Sequence, residues 1–187
     1  MTRAVFAMFA ALCAAAIVAL GVACSSFDQS AVTEVTGPDF GEFSITNGIG
    51  ADGATNAGVD AVLELRCGSL DCHGQMGRAL RIFSQNGLRL IAADAANLPG
   101  VQPTTQTELV ANYQAVIGLQ PELMTEVVQG NAPPTALLLL RKPLQLERHK
   151  GGPVIVQGSN AYDCIVSWLG GPTQFSARAC ALAMTTP

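Results

Sequence analysis

Histidine is nearly absent from this chain: two occur in 187 residues, at positions 73 and 149. A basic excess is missing as well, with 10 Lys and Arg against 14 Asp and Glu and a formal net charge of −4. That balance excludes nucleic acid as an expected partner, because a phosphate backbone needs a basic face. No glycine loop of the kind that cradles phosphate is present, and no nucleophile elbow. There is no internal repeat and no convincing cluster of acid, base and nucleophile, so nothing points to an enzyme.

Also missing is a Lys and Arg cluster after the first apolar run. Residues 4–22 carry no charge, follow the lone early cation Arg3, and lead into Gly21, Val22, Ala23 and Cys24. This is the layout of a secretory signal over residues 1–23. An uncleaved membrane anchor is the alternative, and stop-transfer cations would mark it. The stretch from Leu20 to Cys24 resembles the lipobox of bacterial lipoproteins. The resemblance implies that Cys24 carries lipid and tethers an exported protein to a bacterial membrane, on the periplasmic or cell-surface side.

Six cysteines are present. Cys13 lies in the apolar run and leaves with the signal, and Cys24 is the lipid site. Cys67, Cys72, Cys164 and Cys180 remain, an even set that an oxidising compartment should occupy as disulfides or cofactor links. Cys164 and Cys180 are most simply a disulfide that pins the C-terminal tail to the last helix, worth about 3 kcal/mol.

The 49% hydrophobic content is ample for a core. Residues 24–57 are rich in Gly, Ser, Thr, Asp and Asn and predict a flexible tether, with Phe40, Phe43 and Ile45 adding a short strand or lying against the domain surface. The spacing of Val59, Val62 and Leu63 predicts a helix over 59–66. Residues 78–87 read as a helix or an extended arm. A helix capped by Thr107 runs to Gly118, and the next, with Pro121 in its first turn, runs to Gly130. A third opens near Pro134 and ends before Pro143. The last is capped by Ser159 or Asn160 and closed by Gly170 and Gly171, with Tyr162, Ile165, Val166 and Leu169 on one face. The fold class is thus mostly α, a small helical domain over 58–171 with a peripheral tail over 172–187.

The chemistry concentrates at Cys67, Cys72 and His73. Covalent haem attachment needs two thiols that reach one edge of the porphyrin and an imidazole beside them that rises to the iron; the usual spacing is Cys-x-x-Cys-His. Here four residues intervene. Residues 59–170 resemble a small single-haem cytochrome c domain: a helix, the cysteine-cysteine-histidine motif, further helices, a distal-ligand loop at 149–153 and a final helix bearing Trp168. The resemblance implies one haem c, thioether links at Cys67 and Cys72, His73 as the proximal iron ligand, and electron transfer to an unidentified redox partner.

Two residues compete for the distal position. His149 is preferred because it sits in a Gly-Gly-Pro loop after a buried helix. Met124 is the rival, with a thioether that raises the reduction potential. Met76 lies too close to His73 to cross the porphyrin, and an open distal side would suit a peroxidase-like protein. Trp168, Tyr113 and Tyr162 line the haem edge or belong to the core. Arg141, Lys142, Arg148 and Lys150 pair with haem propionates, dock an acidic partner, or form a solvated loop. Two readings without haem stand beside this one: a disulfide between Cys67 and Cys72 in a surface lipoprotein that acts as a binding module, or a structural zinc held by Cys67, Cys72, His73 and His149.

Overall fold

The computed structural model describes residues 35–46, 48–49, 55–90 and 102–185, and these are mostly α-helical, as the apolar periodicities predict. The export signal over 1–23 and the lipid site Cys24 lie outside the described residues. A short helix α1 (Phe40–Phe43) precedes a two-residue antiparallel pair, β1 (Gly48–Ile49) and β2 (Thr55–Asn56). Helix α2 (Val59–Cys67) follows and buries Val59, Val62 and Leu63, the triplet that predicted it. Residues 78–87 take the extended alternative, with an isolated bridge between Phe83 and Leu88.

Helix α3 (Gln106–Ile117) starts two residues earlier than Thr107 suggests, because Thr105 is the cap. The Thr105 hydroxyl accepts from the Glu108 amide at 3.3 Å and the Glu108 carboxylate accepts from the Thr105 amide at 2.9 Å, a reciprocal capping box. Helix α4 (Pro121–Val128) has Pro121 in its first turn, and Gly130 behind it adopts a φ of 80°. The helix predicted over 134–142 is broken instead into a 3₁₀ turn (Pro134–Ala136) and a short helix α5 (Leu138–Arg141). One helical face cannot bury four consecutive leucines. With Leu137 extended at the break, Leu137, Leu139 and Leu140 are all buried.

Helix α6 (Asn160–Leu169) is capped by Ser159, whose hydroxyl accepts from the Tyr162 amide. The C-terminal stretch is not peripheral. Ser176 caps a helix α7 (Ala177–Thr185) through the Ala179 amide, and α7 packs on α6, α2 and β2. Cys180 and Ala183 in it are fully buried, and Arg66 of α2 donates to the Ala183 carbonyl at 3.0 Å.

The expected tether needs correcting too, since the compact unit begins at Val35. Phe43 is fully buried and packs 5.3 Å from Trp168 and 5.4 Å from Tyr113, ring centre to ring centre. Polar links fix the approach: Trp168 Nε1 donates to the Asp39 carbonyl and the Tyr113 hydroxyl to the Pro38 carbonyl. Trp168 and Tyr113 are therefore core residues of this aromatic cluster.

The expected disulfide joins α6 to α7 through Cys164 and Cys180, both fully buried and 16 residues apart. Replacing both cysteines by alanine lowers the unfolding free energy by about 3 kcal/mol, measured as a lower denaturant midpoint under oxidising conditions. A midpoint unchanged from wild type would show that the bridge adds nothing to the packing of α7.

Candidate functional site

Cys67 closes α2, and the chain then winds back on itself. The His73 amide donates to the Cys67 carbonyl at 2.9 Å, while the Cys72 and Gly74 amides donate to the Ser69 carbonyl at 3.0 and 2.9 Å. Gly74 is buried against the Gly68 and Ser69 carbonyls, and a Cβ there would collide with the Gly68 oxygen. The coil therefore rests on glycine where the backbone crosses itself. From outside, the Ser84 hydroxyl donates to the Gly68 carbonyl and the Ile82 amide to the His73 carbonyl. The loop of the two thiols is thus pinned to the extended arm.

The second histidine arrives on a loop set by proline and glycine. Pro143 ends the leucine-rich segment, and its carbonyl accepts from the Val154 and Ile155 amides. That closes the intervening chain into a loop, in which Gly152 adopts a φ of 74°. A Cβ on Gly151 would stand 3.1 Å from His149 Cε1, so the bare glycine leaves room for the ring.

These two elements bring the only two histidines together. Their ring centres lie 6.2 Å apart, with planes 11° from parallel. His73 Nδ1 is 2.8 Å from the Leu80 carbonyl, and His149 Nδ1 is 2.9 Å from the Gly152 carbonyl. A carbonyl oxygen only accepts, so each neutral ring carries its proton on Nδ1 and its lone pair on Nε2. This is the tautomer of a metal-binding imidazole whose orientation is fixed from behind.

Two hollows flank the pair and share His73, Arg78, Lys142 and His149 in their walls. One, of about 280 Å³, is closed by Cys67, Leu80, Leu119, Leu138, Leu139 and Val154. The other, of about 700 Å³, is lined by Cys72, Arg148 and Lys150, with Asp71 its one acid. An apolar recess and a cationic recess thus meet at the histidines, with one thiol in each. Lys142 and Arg141 are tied to Glu147, at 2.7 and 3.4 Å, which holds the base of the basic loop.

Both thiols of the motif are free, so the disulfide considered for Cys67 and Cys72 is not formed. Burial pushes the Cys67 thiol up to about 12, with Cys72 adding to the rise and Arg66 opposing it. It stays protonated at neutral pH. Among the described residues no group of three or more His, Cys, Asp and Glu side chains is placed to hold a metal ion, so the four-ligand zinc arrangement is not assembled.

The other candidates fall away from the histidine pair. Met124 is 1% exposed and packs in the core, and it lines neither hollow. Met76 is on the surface, 72% exposed. Tyr162 packs against the core and Arg141 faces Glu147. Arg78, Leu80, Leu119 and Val154 had no distinguishing signal in the sequence, since a carbonyl donor and an apolar wall exist only once the chain is folded. No family model, curated protein or solved structure matches the chain.

Proposed function

We propose that this chain is an exported electron-transfer protein that carries one covalently bound c-type haem, with His73 and His149 as axial ligands. The observation that supports the reading is the histidine pair, two near-parallel rings 6.2 Å apart with each Nδ1 held by a backbone carbonyl. A metal–imidazole bond of about 2 Å puts a ring centre about 3 Å from the metal, so two imidazoles sharing one ion stand about 6 Å apart. The 6.2 Å between ring centres matches that separation.

The donor set fits the group in other respects. Cys67 and Cys72 would hold the porphyrin edge, and the leucines of the smaller hollow would cover its apolar part. Arg78, Lys142, Arg148 and Lys150 match two carboxylate side chains on the opposite edge. When bound, the haem supplies a one-electron iron couple; the chain orients the two imidazoles, excludes water on the leucine side and neutralises charge on the other. The Nδ1 bonds to Leu80 and Gly152 raise the basicity of both ligands. If His73 and His149 both held the iron, no open position would remain for peroxidase chemistry, which favours an electron carrier. The redox partner is a protein, and lipid at Cys24 anchors the chain to the membrane.

The test is expression with a cytochrome c maturation system, followed by denaturing electrophoresis with haem staining and intact mass. Wild type is expected to gain one haem that survives denaturation, and the Cys67→Ala/Cys72→Ala variant to gain none. A colourless wild type that retains both free thiols, or forms a Cys67–Cys72 disulfide, would instead favour the binding-module alternative.

A further inference from the structure

A polar residue interrupts the buried face of α3. Leu109, Asn112 and Val116 recur at helical spacing and are all buried, so an apolar side chain at the middle position would complete the face. A buried amide costs stability unless it is hydrogen-bonded. Asn112 is fully enclosed and makes three bonds: Oδ1 accepts from the Phe83 amide at 2.7 Å, and Nδ2 donates to the Phe83 carbonyl and to Asp60 Oδ1, both at 2.8 Å.

The two bonds to Phe83 are the pair that a neighbouring antiparallel strand would exchange with it. A primary amide carries the same donor and acceptor as a peptide group, so Asn112 stands in for that strand. Among the described residues the arm has only one bridge of its own, the isolated one between Phe83 and Leu88. Asp60 occupies the second Nδ2 hydrogen and holds the amide this way round.

From Phe83 the constraint runs back to the first histidine. The Ile82 amide donates to the His73 carbonyl at 3.0 Å, and the Leu80 carbonyl accepts from His73 Nδ1 at 2.8 Å. The backbone and the ring of His73 are thus both tied to the arm just ahead of the clamped residue. We propose that Asn112 is a positioning residue for His73: by clamping Phe83 it sets where the Leu80 carbonyl stands, and so keeps the ring proton on Nδ1 and Nε2 unprotonated. The bearing of this clamp on electron transfer rests on the reading of His73 as an iron ligand; its effect on the ring does not.

The experiment compares two buried truncations in the full chain, Asn112→Ala and Met124→Ala, the second of which lines neither hollow. In the haem-free protein at alkaline pH, where both rings are neutral, ¹⁵N NMR should show His73 protonated on Nδ1 in wild type and in Met124→Ala. In Asn112→Ala a large share of His73 should pass to the Nε2-protonated form, because the bond that selects the tautomer is loosened. His149, held by the Gly152 carbonyl, should keep its proton on Nδ1 in every variant. In the haem-loaded protein the weaker Nδ1 bond makes His73 a less basic ligand, so the reduction potential of Asn112→Ala should rise above that of wild type. If Asn112→Ala does not fold, Asn112→Asp keeps an acceptor for the Phe83 amide and should show the same changes in part. A His73 tautomer unchanged in whichever variant folds overturns the proposal. So does an equal change in His149 or in Met124→Ala, which would mark a general loosening, or a potential unmoved in the loaded protein. A chain that takes up no haem yet shows the tautomer change sinks the electron-transfer reading and leaves the clamp standing.

Discussion

Replacement of Glu108 by alanine is expected to cost about 3–5 kcal/mol of stability, read as a fall in the denaturant midpoint at unchanged m-value. Glu108 is fully buried at the first turn of α3. Its two oxygens accept from Arg89 Nε and Nη2 at 2.9 and 2.8 Å, and from the Leu90 and Thr105 amides, both at 2.9 Å. Removing the carboxylate leaves a guanidinium only 6% exposed facing a cavity, with two backbone amides robbed of their acceptor. Glu108→Gln keeps the shape and should cost less. The consequence reaches the histidine site, because α3 also carries Asn112, which grips both the amide and the carbonyl of Phe83. The arm held there includes Leu80, the partner of His73.

The same residue gives the acid limb of the stability profile. Burial alone would raise Glu108, but hydrogen bonds from Arg89, Thr105 and Leu90 outweigh it and hold the group at about 2. The folded state then binds fewer protons than the unfolded chain between about 2 and the ordinary value of 4.5. Stability from this group is complete above that window and is lost as pH falls through it. Asp60 has the opposite sign: raised from 3.8 to about 9, it keeps a proton that the unfolded chain has released. Its contribution falls as pH rises from about 4 towards 9. Stability curves should therefore lose their acid limb in Glu108→Gln and their alkaline decline in Asp60→Asn.

Where one element's own residues decide its structure, the sequence was legible. The triplet Val59, Val62 and Leu63, Pro121 at a first turn and the Ser159 cap each act within one helix. The cap was placed at Thr107 in error, although Thr105-x-x-Glu108 has the capping-box spacing that Thr107 lacks. Ser176 before an alanine-rich run was a comparable signal for α7. Phe43 carried no such signal: it sits in a polar stretch without period, and its burial depends on Trp168 and Tyr113 arriving from α6 and α3. The break at Leu137 is tertiary in the same way, decided by which leucines find cover. At the site, the residue types around Cys67 and His73 could be read, whereas the hollow beside them is built from α5 and the proline loop. Asp60 carried no signal in the sequence, and only packing shows that its carboxyl is enclosed.

The haem-loaded His149→Ala protein is expected to retain its covalent cofactor and lose its low-spin spectrum in both oxidation states. On the proposed reading, attachment would depend on Cys67 and Cys72 and proximal ligation on His73; the variant leaves all three residues in place. Only the ring that faces His73 across 6.2 Å is removed. Because that ring borders both hollows, the variant leaves room for added imidazole, which should restore the wild-type bands. Met124→Ala predicts the contrary pattern. Met124 is 1% exposed within the core, so its loss should cost about 2–5 kcal/mol of stability and leave the spectrum unchanged. His149→Met extends the comparison: a thioether in place of the second imidazole should raise the reduction potential, whereas a merely structural loop histidine would leave it unmoved. A spectrum insensitive to His149→Ala but altered by Met124→Ala would require α4 to turn out of the core, and would assign the distal side to the thioether.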